Sequence, residues 1–157
     1  MASTIDTATL SVTVTESLTL GGYPQGSTNT WRFHDISNVS SRIITIPTTE
    51  VIIVTLHASA VAGGQFVEGD VRYVRITNKD DENHVGLIFR HEDSDEFGIK
   101  LDYGQTFIYN GDNLTGVIDT MDAAATSITA NTFADLVDIT AIADSAEVDI
   151  EVFVASK

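Results

Sequence analysis

Cysteine is absent from this 157-residue chain, which excludes disulfides and every thiolate metal site. Proline occurs only twice, so nearly the whole backbone is free to donate to a β-ladder. Long apolar runs are missing too. The longest, Val51-Ile52-Ile53-Val54, falls far short of the ~20 residues a membrane-crossing helix needs. The opening Met1-Ala2-Ser3-Thr4-Ile5-Asp6 has neither basic residues nor an apolar run, so it does not read as a secretory signal. These features together lead us to expect a soluble protein made in a cytoplasm.

Positive charge is scarce. Eight Lys and Arg face 23 Asp and Glu, for a net charge of −15, and residues 101–156 hold ten acids and no Lys or Arg. Nucleic-acid binding is dominated by phosphate neutralisation, so this field argues against it. It argues against anionic membranes for the same reason. Solubility, or docking on a basic partner, is what it favours. Catalytic motifs are missing as well: no Gly-x-Ser-x-Gly elbow, no phosphate loop and no His-Glu-x-x-His. The acid pair Asp93/Asp95 sits within one short turn, which suits solvated residues better than two carboxyls facing a cleft. No enzymatic activity is expected.

What the chain has in abundance is a period of two, the mark of half-buried strands. Thr7, Thr9, Ser11, Thr13, Thr15, Ser17 and Thr19 fill the odd positions, and Leu10, Val12, Val14, Leu18 and Leu20 the even ones. Glu16 interrupts the aliphatic face, and a bend or bulge there would re-aim it. At the other end Val148, Ile150, Val152 and Val154 alternate with Glu147, Asp149 and Glu151. The aliphatic faces of these two terminal strands, Leu10, Val12 and Val14 with Val148, Ile150, Val152 and Val154, are the expected core.

Between them, the glycines and proline of residues 21–26 read as a loop, and strands follow over 30–33, 42–46 and 51–57. Strands over 71–77, 84–90, 97–103 and 106–109 are separated by short polar turns and read as a β-meander with antiparallel neighbours. Residues 116–134 are rich in Ala and Thr, and Asn131 or Thr132 offers a cap for one short helix over 132–137. About nine or ten strands at roughly 8–12-residue spacing argue for an all-β protein, a single antiparallel sandwich over residues 1–157. A jelly-roll or immunoglobulin-like arrangement is expected, with at most one short helix.

Candidate sites are few. His84 and His91 flank one strand and so lie ~20 Å apart, which excludes a shared metal within one chain; exposed strand ends are expected for both. The turns at residues 80–83 and 92–96 hold enough carboxylates for calcium, but lack the spacing and the bend glycine of a calcium loop. No cofactor or metal is expected. Tyr23 and Trp31, beside the Gly/Pro loop, are interface candidates, since exposed aromatics are interface and ligand material. Arg72, Arg75, Lys79, Arg90 and Lys100 gather within the meander, and Arg72 and Arg75 are the basic interface candidates, facing an acidic surface. Their alternative role is to balance the acids of residues 80–82 and 92–96.

The stretch Gly69-Asp70-Val71-Arg72-Tyr73-Val74-Arg75-Ile76-Thr77-Asn78-Lys79-Asp80-Asp81, then residues 85–89, then Ile99-Lys100-Leu101-Asp102-Tyr103-Gly104-Gln105-Thr106-Phe107, resembles small acidic β proteins encoded among the virion genes of tailed phages, marine ones especially. Residues 138–153 share the likeness, which covers 69–108 and 135–154. What the resemblance implies is a non-enzymatic virion structural protein, made in the host cytoplasm and located in the virion. A capsid decoration or cement protein is the leading form, with the major capsid protein or another virion protein as partner. A homo-oligomer is expected, a trimer among its candidate forms, with no nucleic acid and no membrane as partner. A tail, baseplate or fibre-associated protein is the first alternative. A carbohydrate-binding module for host attachment is the second.

Overall fold

A computed structural model describes residues 6–59, 62–92, 96–117 and 133–157. Thirteen strands form among them. Four belong to the N-terminal quarter: β1 (Ala8–Thr15), β2 (Leu18–Leu20), β3 (Tyr23–Gln25) and β4 (Thr28–Ile36). The rest are β5 (Asn38–Ile46), β6 (Val51–His57), β7 (Phe66–Val67), β8 (Val71–Asn78), β9 (Val85–His91), β10 (Glu96–Leu101), β11 (Thr106–Asn110), β12 (Leu136–Ala143) and β13 (Val148–Ser156). A single 3-10 turn, Glu68–Asp70, is the one helical element among the described residues.

Two sheets make the body, in the orders β11-β8-β13-β5 and β10-β9-β12-β6-β7. Without the short β7, which joins β6 in parallel, eight body strands remain. Numbered in chain order, the first pairs with the eighth, the second with the seventh, the third with the sixth and the fourth with the fifth. That nesting is one long antiparallel ribbon rolled over on itself, with successive segments falling alternately in the two sheets. It is the jelly-roll form of the expected sandwich.

The strand count exceeds nine or ten for local reasons. The hydroxyl/aliphatic strand at the start breaks at Glu16-Ser17 into β1 and β2, and part of the expected loop, Tyr23–Gln25, pairs back on β2. The meander is corrected more deeply. β9 and β10 are indeed antiparallel neighbours, but β8 and β9 lie in different sheets. Asn78 makes that crossing possible. Its buried side chain donates to the carbonyls of Asn83 and Leu101, and it accepts the Asp80 amide. Period-two patterning reports which face is buried; it does not choose between a neighbour in the same sheet and one across the core. The one short helix for which residues 132–137 offered a cap does not form where it can be seen: Leu136 and Val137 begin β12, while Asn131 and Thr132 lie outside the described residues.

The core lies between the two sheets and draws on both, with Ile46, Val74, Ile76, Val85, Leu87, Ile139 and Ala141 fully enclosed. Val148, Ile150, Val152 and Val154 are all buried there, as their alternation required. Leu10, Val12 and Val14 are not part of it. β1 pairs with β4 alone, outside the sandwich. An aliphatic face found its apolar surface elsewhere.

Candidate assembly site: the N-terminal arm and the sheet face beneath it

β1 and β4 form a hairpin arm that leaves the body at Ser37, whose amide donates to Ser156. The register sets Leu10 opposite Phe33, Val12 opposite Trp31 and Val14 opposite Asn29, so one face of the arm is apolar along most of its length. The other face is hydroxylic: Thr13 and Thr30 share a hydrogen bond of 3.0 Å, and Thr28 donates to Thr15 at 3.3 Å. β-branched threonines suit such an open pleated surface.

The root of the apolar face is seated. Leu10, Val12 and Phe33 pack against Tyr73, Phe153 and Ala155 on the outer side of the four-stranded sheet, making a second, smaller apolar cluster. Phe33 and Tyr73 lie 6.2 Å apart, and Tyr73 meets Phe153 edge-on at 5.9 Å, both within the range of favourable ring pairs. Burial pushes the Tyr73 phenol up. Beside the seat, the Arg75 guanidinium stands 5.9 Å from the Phe153 ring and grips Glu151 with two bonds, at 2.8 and 3.3 Å. That hydrogen bond holds the Glu151 carboxyl below its ordinary value and raises Arg75 further.

Further out the arm is open to solvent. Trp31 and Val14 are exposed, and the tip is more so: Leu18 is 58% exposed, Leu20 68% and Tyr23 73%. The tip is a two-residue hairpin. Gly21 and Gly22 both take positive φ, 60° and 85°, as the turn between the paired Leu20 and Tyr23 demands. Stem and tip meet at a kink where the Glu16 amide bonds the Ser27 carbonyl at 2.8 Å and Ser27 donates to the Glu16 carboxylate at 3.3 Å. Gly26 closes the kink at φ 105°, and a Cβ there would stand 2.4 Å from the Glu16 carbonyl oxygen. Gly26→Ala is therefore expected to cost about 1–3 kcal/mol locally. Limited proteolysis should find faster cleavage between residues 16 and 28, with the melting of the body unchanged.

Composition sets the arm apart. Between Thr7 and Trp31 the only charged residue is Glu16, in a chain that holds 23 acids and eight bases. Depletion of charge is a mark of interface cores.

The sequence candidates divide. Tyr23 and Trp31 both lie on the arm, at its tip and on its apolar face. Arg72 and Arg75 stand three residues apart on β8, and the register shift between Val71 and Tyr73 breaks simple alternation at Arg72. Arg72 donates to the Gly69 carbonyl at 2.8 Å. Arg90 pairs with Glu50, Glu96 and Asp138, and Lys100 with Asp102. These cations serve the chain's own oxygens rather than one open basic patch. What the sequence reading missed is the arm as a unit. Its signals were the glycine pair between Leu20 and Tyr23, Gly26 opposite Glu16, and the absence of charge.

A second, acidic cleft of about 410 Å³ is lined by Thr55, His57, Glu68, Glu92, Asp135 and Asp138 among others. Glu68 is only 6% exposed, and its carboxyl is pushed up by burial and then by Asp135 and Glu92. A carboxyl raised in the fold stabilises it fully below the unfolded pKa and loses that contribution as pH rises through the folded one. Glu68→Gln should thus raise the melting temperature at pH 7, with the gain shrinking toward pH 4; an unchanged or lower value at pH 7 would contradict this. Among the described residues no group of three or more His, Cys, Asp and Glu is placed to hold a metal. Asp80, in the first calcium-candidate turn, accepts the amides of Glu82 and Asn83, which hold its carboxyl down. Residues 93–95 of the second turn lie outside the described residues. His91, expected at an exposed strand end, is buried, whereas His84 is half-buried beside Asp144 at 3.5 Å.

Comparison with protein-family models, curated proteins and solved structures found no match.

Proposed function

We propose that this chain is a non-enzymatic structural protein of a phage virion, a decoration or cement subunit of the assembled shell whose assembly there runs through its N-terminal arm. The observation that carries the reading is the arm: a charge-depleted hairpin, seated at its root, with Leu18, Leu20 and Tyr23 held out into solvent. Side chains so placed leave most of their surface in water, and their burial against a partner is favourable at roughly 25 cal/mol per Å² of apolar surface. Jelly rolls build viral capsid and lectin domains alike, so the fold narrows the class by analogy and no further.

Purified particles of the encoding phage, examined by mass spectrometry and electron microscopy, test the proposal. A decoration role requires the protein in near-stoichiometric amount on the outside of the head. Density on the tail would transfer it to the tail or baseplate alternative. Absence from the particle, together with glycan binding that Tyr23→Ala abolishes, would replace it with the carbohydrate-binding one.

A further inference from the structure

We propose that the arm of one copy docks on β5 of a second copy, so that the protein assembles with itself through a contact between arm and strip. This rests on the docking role given to the arm above, and is independent of where on a particle the assembly sits.

Among the described residues, two exposed apolar surfaces suit such a contact. One is the outer half of the arm. Its apolar face begins as a contact with the chain's own body at Tyr73, Phe153 and Ala155, and runs past the seat through Trp31 and Val14 toward the tip. The other is β5, an edge strand that among the described residues pairs only with β13. Its outward row is Val39, Ser41, Ile43 and Thr45, with Val39 52% and Ile43 67% exposed. Val39 lies beside Ala155 and Ile43 beside Glu151, so the strip borders the seat the arm already uses. Long unpaired edges are ordinarily blunted with charge. This outward row has none, and the one charged residue of β5, Arg42, reaches the Ile53 carbonyl instead.

Charge selects the occupant. Two copies at −15 each repel over most of their surface. The stretch of the arm from Thr7 to Trp31, with Glu16 alone, and the uncharged outward row of β5 are surfaces on which they can meet without juxtaposing carboxylates. A basic partner would instead be matched by an acidic docking surface, which this chain carries in quantity elsewhere and leaves off the arm. Arm to strip is a contact between unlike surfaces, so two reciprocal arms close a dimer and successive ones close a ring.

The lack of native cysteine makes the test clean. In a Leu20→Cys, Ile43→Cys double variant, mild oxidation should give intermolecular disulfides on a non-reducing gel, with neither single variant doing so. A band from Leu20→Cys alone would show arm against arm and overturn the proposal; so would a disulfide formed only within one chain. Subunit mixing is the second measurement. A Leu18→Asp, Leu20→Asp arm variant and an Ile43→Asp strip variant should each run as monomers by light scattering, with wild-type melting. Mixed, they should form a heterodimer, because one retains the strip and the other the arm. A wild-type monomer at tens of micromolar, or no heterodimer on mixing, defeats the contact. If that monomer is nevertheless found on particles, the virion role stands without it.

Discussion

Ile150→Ala is expected to remove about 2–5 kcal/mol of folding free energy, as large-to-small changes in a closed core do. Ile150 has no exposed surface and sits mid-strand in β13, between Ile44 of β5 and Asn78 of β8, so the cavity left behind has no rim to collapse into solvent. Val14→Ala, on the arm beyond its seat, should cost no more than about 0.5 kcal/mol. Both positions belong to aliphatic faces of identical period in the sequence, and only one of them closes the sandwich. Urea unfolding of the two variants measures the difference directly. Equal losses would mean that β1 belongs to the core after all.

Tyr73→Ala should have the second large effect, about 3 kcal/mol, with a distinctive distribution. Tyr73 is buried on the outer side of β8, between Phe33 of the arm and Phe153 of the body. Its removal deletes the centre of the seat while the inward neighbours Val74 and Ile76 keep the sandwich closed. Amide exchange should therefore accelerate in β1 and β4 and stay protected in β9 and β12. Uniform acceleration through all strands would show that arm and body unfold as one.

Much of the fold was legible because burial in a sheet is written at alternate positions. β13 states its core face without ambiguity: Val148, Ile150, Val152 and Val154 within, Asp149 and Glu151 without. Three things were not legible, each for a physical reason. Alternation in β1 identifies an apolar face but not what lies under it, and a sheet's outer side serves as well as its inner one. Polar turns between 78 and 83 fit a hairpin and a crossing between sheets equally; the buried bonds of Asn78 decide, and they depend on Leu101, far along the chain. Charge clusters in sequence did not become charge patches in space, because Arg75 reaches Glu151 across 76 positions. The candidate site was half legible. Tyr23 and Trp31 were singled out as aromatics beside a glycine-rich loop, and the arm that carries them is that loop folded into a second hairpin.

On the proposed role, docking runs through the arm and not through the basic residues of β8. Quantitative readdition to particles stripped of the protein tests it most directly, with bound subunits counted against free concentration. A Leu18→Ser, Leu20→Ser, Tyr23→Ser variant should bind at least about tenfold more weakly, as loss of a few buried anchor side chains does. Arg72→Glu should bind as the wild type does. Full occupancy by the arm variant, with occupancy lost in Arg72→Glu, would contradict the claim.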